Sequence, residues 1–134
     1  MMARGNAVGK RILLVEDQVE VRQATGMLLS IDDHTISEAG DGTEALELYT
    51  RFRFDLVITD CAMPRMNGEQ LAASIRKQAP SQPILMITGS PEVLNVTRQN
   101  VDAILFKPFS LTELREAVSN LVSPEQVVET QVSG

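Results

Sequence analysis

The chain has 134 residues, a mass of 14.7 kDa, 43% hydrophobic residues, a formal net charge of -6 and a pI near 4.7; that is one domain with one core, too acidic to offer the basic patch a nucleic-acid surface needs. No apolar run approaches the length of a membrane span, and Met1–Asn6 lacks the apolar core of a signal peptide. The single cysteine, Cys61, excludes an internal disulfide and a cysteine-based zinc site, so the expectation is a soluble, cytoplasmic protein.

Residues 1–10 are polar and glycine-containing and read as a flexible lead. Arg11–Val15 is a buried strand that runs into two acids, Glu16 and Asp17. A helix is expected over about 18–30, with Val21, Ala24, Leu28 and Leu29 inward. A weak strand follows at 34–38, and His34 before it reads as a surface residue. Gly40–Thr43 is a turn in which Asp41 or Thr43 caps a helix over about 43–52, with Ala45, Leu46, Leu48, Tyr49 and Phe52 on its apolar face.

The third strand, 55–60, is covered on both faces and ends in Asp60. A carboxylate at the end of a buried strand is costly unless something neutralises it. The chain then breaks at Pro64 and Gly68 and enters a helix over about 68–78, with Leu71, Ala72 and Ile75 inward. Cys61 reads as a small packing residue, and Met63 and Met66 as loop packing. Residues 83–88 form the fourth strand, ending in Thr88. Residues 91–99 make a poor helix because Val93, Val96 and Thr97 are β-branched. Ala103–Phe106 is the fifth strand and meets Lys107-Pro108. Ser110 and Glu113 form a capping box for a last helix over 111–122, and residues 123–134 read as a tail.

Strands alternating with helices predict an α/β domain over 11–122. The expected fold is a flavodoxin-like, doubly wound, five-stranded parallel sheet of order 2-1-3-4-5 with five helices, the fourth short or irregular. In that order the ligand crevice lies between strands one and three, the two that end in acid. The strand ends near it supply Glu16, Asp17, Asp60, Thr88 and Lys107. Three crowded carboxylates need a cation, and oxygen-only donors fit magnesium better than zinc. Asp60 is then a nucleophile for a phosphoryl group, with Lys107 and Thr88 on the phosphoryl oxygens.

The stretches Leu13-Leu14-Val15-Glu16-Asp17, Asp55–Asp60, Met63-Pro64-Arg65-Met66-Asn67-Gly68, Ile87-Thr88-Gly89 and Leu105-Phe106-Lys107-Pro108-Phe109 together resemble the receiver domain of two-component response regulators. The resemblance covers about residues 11–122. It implies that Asp60 is the phosphoacceptor, forming 4-aspartylphosphate, and that Glu16, Asp17, Asp60 and the Ala62 backbone carbonyl hold magnesium. Thr88 is then the switch hydroxyl, Lys107 pairs with the phosphate, and the Lys107-Pro108 bond is cis. The implied donor is a histidine kinase or histidine phosphotransfer protein, and the output an unidentified protein target. The resemblance implies that the chain catalyses only its own phosphorylation and dephosphorylation and is not an enzyme in the ordinary sense.

Two departures stand out. Ile104 occupies the place of the family's usual aromatic, three residues before the lysine, and the stretch from Thr88 to Lys107 is short. Other readings are a non-phosphorylated binding module, a magnesium-dependent aspartyl-phosphate hydrolase and a flavin carrier. The hydrolase wants a second aspartate where Ala62 stands, and a flavin phosphate would meet Glu16-Asp17-Gln18, which has the wrong charge.

Overall fold

A computed structural model of the chain describes residues 7–90 and 100–122. In it β1 (Arg11–Val15), β2 (Thr35–Ala39), β3 (Leu56–Asp60), β4 (Ile84–Thr88) and β5 (Ala103–Phe106) form one sheet of order β2-β1-β3-β4-β5. Every neighbouring pair is parallel. The described helices are α1 (Val19–Ser30), α2 (Gly42–Arg51), α3 (Gly68–Gln78) and α4 (Leu111–Val122). The short helix expected over 91–99 and the tail over 123–134 lie outside the described residues. No described helix is long and apolar enough to cross a membrane.

Alternation along the strands divides the core into two layers. Leu13, Val15, Val57 and Met86 face α2 and α3, where they meet Ala45, Leu71 and Ile75. Ile12, Leu14, Ile58, Leu85 and Ile87 face α1 and α4, where they meet Leu29, Leu114 and Val118. All five residues of β3 and of β4 are buried, which explains their unbroken apolar runs. The weak pattern of the second strand follows from its place: β2 is an edge strand, and only Ala39 in it is fully buried.

Local signals set the helix starts. The Asp41 side chain accepts from Glu44 N at 2.8 Å and caps α2. Asn67 and Gln70 make a capping box at α3, and Ser110 and Glu113 bond reciprocally at 3.0 and 2.8 Å ahead of α4.

Three expectations fail. Ala24 is exposed, and Thr25 and Gly26 take the inward positions of α1. Phe52 is 46% exposed, because it falls in extended backbone just past α2 instead of on its face. His34 is only 7% exposed. Its Nδ1 accepts a hydrogen bond from Lys10 N at 3.0 Å, so a backbone amide far along the chain, not a side chain, satisfies it. The same strip holds the first of the described residues. Gly9 N donates to Asp32 O at 3.0 Å, and Ala7 N donates to Ser119 Oγ on α4 at 2.8 Å. Arg115 on α4 grips both oxygens of Asp32 at 2.9 and 2.6 Å.

Burial, ahead of the attraction of Asp32, holds the His34 imidazole below its usual 6.5. Protonation therefore favours the unfolded chain. Stability tied to His34 is fully present above pH 6.5 and is lost as pH falls through the lower folded-state value. The Asp32 carboxyl, held low chiefly by the Arg115 hydrogen bond, acts in the same direction but only below its usual 3.8. The thermal midpoint should fall on acidification from neutrality towards pH 5, and His34→Gln should flatten that limb. Equal slopes in thermal scans of the two proteins would remove His34 as the cause.

Candidate functional site

The parallel order brings the C-terminal ends of β1 and β3 side by side, with Val15 opposite Thr59. Glu16 and Asp17 leave one strand as Asp60 closes the other. One carboxylate oxygen from each of the three lies within 4.8 Å of the other two. Glu16 and Asp60 are buried, at 5% and 7% exposure, while Asp17 is more open to solvent. Lys107, just past β5, reaches across with Nζ 2.9 Å from Asp60 Oδ1 and 3.7 Å from Glu16 Oε1. Thr88 is buried at the end of β4, one residue past Ile87, the register partner of Asp60. Its Oγ1 accepts from Ser90 N at 3.0 Å, and its carbonyl accepts from Lys107 N at 2.9 Å. Glu16, Asp17, Asp60, Thr88 and Lys107 thus come to one end of the sheet, and the Lys107-Pro108 peptide is cis.

Among the described residues the charges at this end do not balance: three carboxylates face one ammonium. Burial works against the charge on Lys107, but the bond to Asp60 and the charges of Asp60 and Glu16 outweigh it and raise its pKa. Glu16 goes the other way. Burial pushes its carboxyl up, the Asp60 charge adds to that, and neither the Gln18 N–H at 3.1 Å nor Lys107 brings it back. The distances give the reason: Lys107 spends its close contact on Asp60 and is 0.8 Å farther from Glu16 (3.7 minus 2.9 Å). Among the described residues the pocket is short of positive charge. Its donors are all carboxylate oxygens, which suits a hard divalent cation such as magnesium.

Cys61 borders the cluster, half-buried and unpaired. Burial first, then the Asp60 charge, push its thiol pKa up, so it stays a neutral packing group. Ile104 packs partly buried against the α2–α3 layer. The register sets Ile104 beside Met86 and Phe106 beside Thr88, so the aromatic neighbour of the threonine is Phe106, 39% exposed.

One residue was read from the sequence only as a chain break, a helix start and part of a motif, without its close approach to Asp60. Gly68, the first residue of α3, lies with its Cα against the backbone of Asp60. A Cβ there would sit 2.2 Å from Asp60 O and 3.1 Å from Cys61 Cα. Gly68 N also donates to Cys61 O at 2.9 Å. The loop between them is tight enough to put Arg65 at φ 65°, a left-handed conformation that only a few non-glycine residues adopt. The sequence signal was the glycine directly after the Asn67 cap, where only backbone can fit.

The family model described as the response regulator receiver domain matches residues 12–119. Among curated proteins, the Regulator of RpoS of Escherichia coli (strain K12) is 39% identical over 121 residues, which cover 87% of this chain and 36% of that protein. The sensor histidine kinase TmoS of Ectopseudomonas mendocina is 37% identical over 118 residues, covering 84% of this chain and 12% of that protein. The chain therefore spans about a third or less of the length of these relatives. Among solved structures, the response regulator protein TrrA of Thermotoga maritima, in complex with Mg(2+)-BeF, superposes with a TM-score of 0.80 at 32% identity, covering 84% of this chain and 98% of that one.

Proposed function

The chain belongs to the response regulator receiver domain family, and on that footing we propose that it is a phosphoaccepting receiver of a two-component phosphorelay. Asp60 Oδ attacks the phosphorus of a phosphohistidine on a histidine kinase or histidine phosphotransfer protein. The P–N bond breaks, the imidazole leaves as the electron pair's acceptor, and an aspartyl phosphate forms. Glu16, Asp17, Asp60 and the Ala62 carbonyl would hold magnesium, which would neutralise phosphoryl oxygens. Lys107 carries one fixed positive charge to the same oxygens. The Thr88 hydroxyl donates to another oxygen and turns towards it, and that movement starts the switch. With Ile104 in the usual aromatic place, the movement is passed on without an aromatic side chain there. The switched surface meets a protein target, and a cytoplasmic site suits a donor of this kind. The expectation of no nucleic-acid partner rests on acidity and concerns these 134 residues alone.

The observation that carries this reading is the charge deficit. Buried Glu16 and Asp60 converge with Asp17, and the one lysine that reaches them among the described residues lies closer to Asp60 than to Glu16. A module that only bound proteins would gain nothing from three converging carboxylates, and packing three together unneutralised is costly.

The test is intact mass after incubation with acetyl phosphate. With magnesium the protein should gain one phosphoryl group, and with a chelator it should gain none. An unchanged mass with magnesium present would turn the reading to the binding module. Rapid, repeated consumption of the donor would turn it to the hydrolase.

A further inference from the structure

Arg22 makes contacts that the chemistry above does not use. It sits in the first turn of α1, where its own N–H makes an early helix bond to Gln18 O at 2.9 Å. Its side chain is only 17% exposed. Nη1 donates to the backbone carbonyl of Glu16 at 2.7 Å, and Nε donates to Glu38 Oε1 at 3.0 Å. Glu38 lies in β2, one residue before Ala39, whose carbonyl accepts from Glu16 N at 3.1 Å. Both backbone polar groups of Glu16 are therefore held, one by the neighbouring strand and one by Arg22. Space for the guanidinium is built in: a Cβ on Gly40 would lie 3.3 Å from Nη1. The ion pair recorded for Arg22 is with Glu38, not with a carboxylate of the acidic pocket.

We propose that Arg22 is a positioning residue for the metal pocket: by holding the Glu16 carbonyl it fixes the peptide plane from whose two ends the Glu16 and Asp17 carboxylates project. β1 ends at Val15, so this plane lies beyond the strand. Without the guanidinium this peptide loses one of its two anchors, and the backbone that carries both carboxylates is held less firmly. Groups that orient metal ligands from behind set affinity without touching the ion. The competing role is an ordinary surface ion pair, and a pair whose acid is 41% exposed contributes little by itself. The inference rests on the metal-assisted reading above.

The experiment is a magnesium titration of the whole chain followed by the amide resonances of Asp17 and Gln18, with acetyl-phosphate labelling in parallel. Arg22→Met keeps the apolar stem and removes the fork. Its magnesium Kd should rise about tenfold, at the low end of what loss of an outer-shell partner costs. Its labelling rate at saturating magnesium should stay within about twofold of the unaltered chain, since Arg22 acts only through the ion's ligands. Arg22→Lys, with one point charge that serves one acceptor at a time, should fall between the two.

A magnesium Kd for Arg22→Met equal to that of the unaltered chain would overturn the inference and leave the receiver reading standing. Absence of magnesium binding by the unaltered chain would overturn the reading beneath it. If Arg22→Met does not fold, Arg22→Lys decides the matter: an unchanged Kd there overturns the inference, and a raised Kd with folding intact supports it.

Discussion

Asp60→Asn should take up no phosphoryl group at any magnesium concentration, a loss of more than about a thousandfold, as expected when a covalent nucleophile is removed. The amide keeps the shape of the carboxylate but has no charged oxygen to attack phosphorus. It also leaves Lys107 without the anion at 2.9 Å, so that the lysine's remaining carboxylate contact is Glu16 at 3.7 Å. Removing one of three like charges relieves Glu16 of part of the repulsion that helps push its pKa up. Burial, the larger cause, remains, so the Glu16 carboxyl should drop only part of the way towards its usual 4.5. The folded state should survive. Intact mass measures the first outcome, and carboxyl NMR titration the second. Phosphoryl uptake by the variant at the unaltered rate would place the acceptor on another residue.

Gly68→Ala should be the most damaging glycine-to-alanine change among the described residues. A Cβ 2.2 Å from Asp60 O cannot be accommodated by a rotamer change, since the obstacle is backbone on both sides. Either α3 backs away or the end of β3 does. The cost should be on the order of 3 kcal/mol, the upper part of the range for overpacking. For a domain of this size that is a fall in thermal midpoint of roughly 10 °C. Because the displaced atom belongs to Asp60, phosphoryl uptake should fall as well, even at temperatures where the variant is folded. Gly89→Ala serves as the comparison, because a Cβ there meets nothing within 4 Å. A Gly68→Ala protein as stable as the Gly89→Ala protein would show that the loop yields freely and that the close approach has no energetic meaning.

What the sequence revealed, and what it hid, follows from the range of each interaction. The strands were legible because both faces of β3 and β4 are buried, and their apolar runs need no tertiary knowledge to read. The site was legible because its residues sit directly after those runs, where chain order alone brings Glu16, Asp60, Thr88 and Lys107 to one end of a parallel sheet. His34 was hidden because its partner is the amide of Lys10, a group with no sequence identity. Arg22 was hidden for the same reason: the atom it holds is a carbonyl. Leu29 faces inward as expected, but Ala24 was misjudged because Thr25 and Gly26, which are not apolar by composition, take the packed side of the helix, where Glu38 and Leu14 lie close to Gly26. Side chains against each other, or capping backbone a turn away, can be guessed from a pattern, whereas a side chain against distant backbone needs coordinates.

The bond from Ala7 N to Ser119 Oγ has an engineering consequence. It brings the entry and the exit of the domain to one spot, so the unit can be spliced into a surface loop of a host protein with short joints and little closure entropy. A host whose two loop ends stand a few ångströms apart would accept the cassette without being pried open.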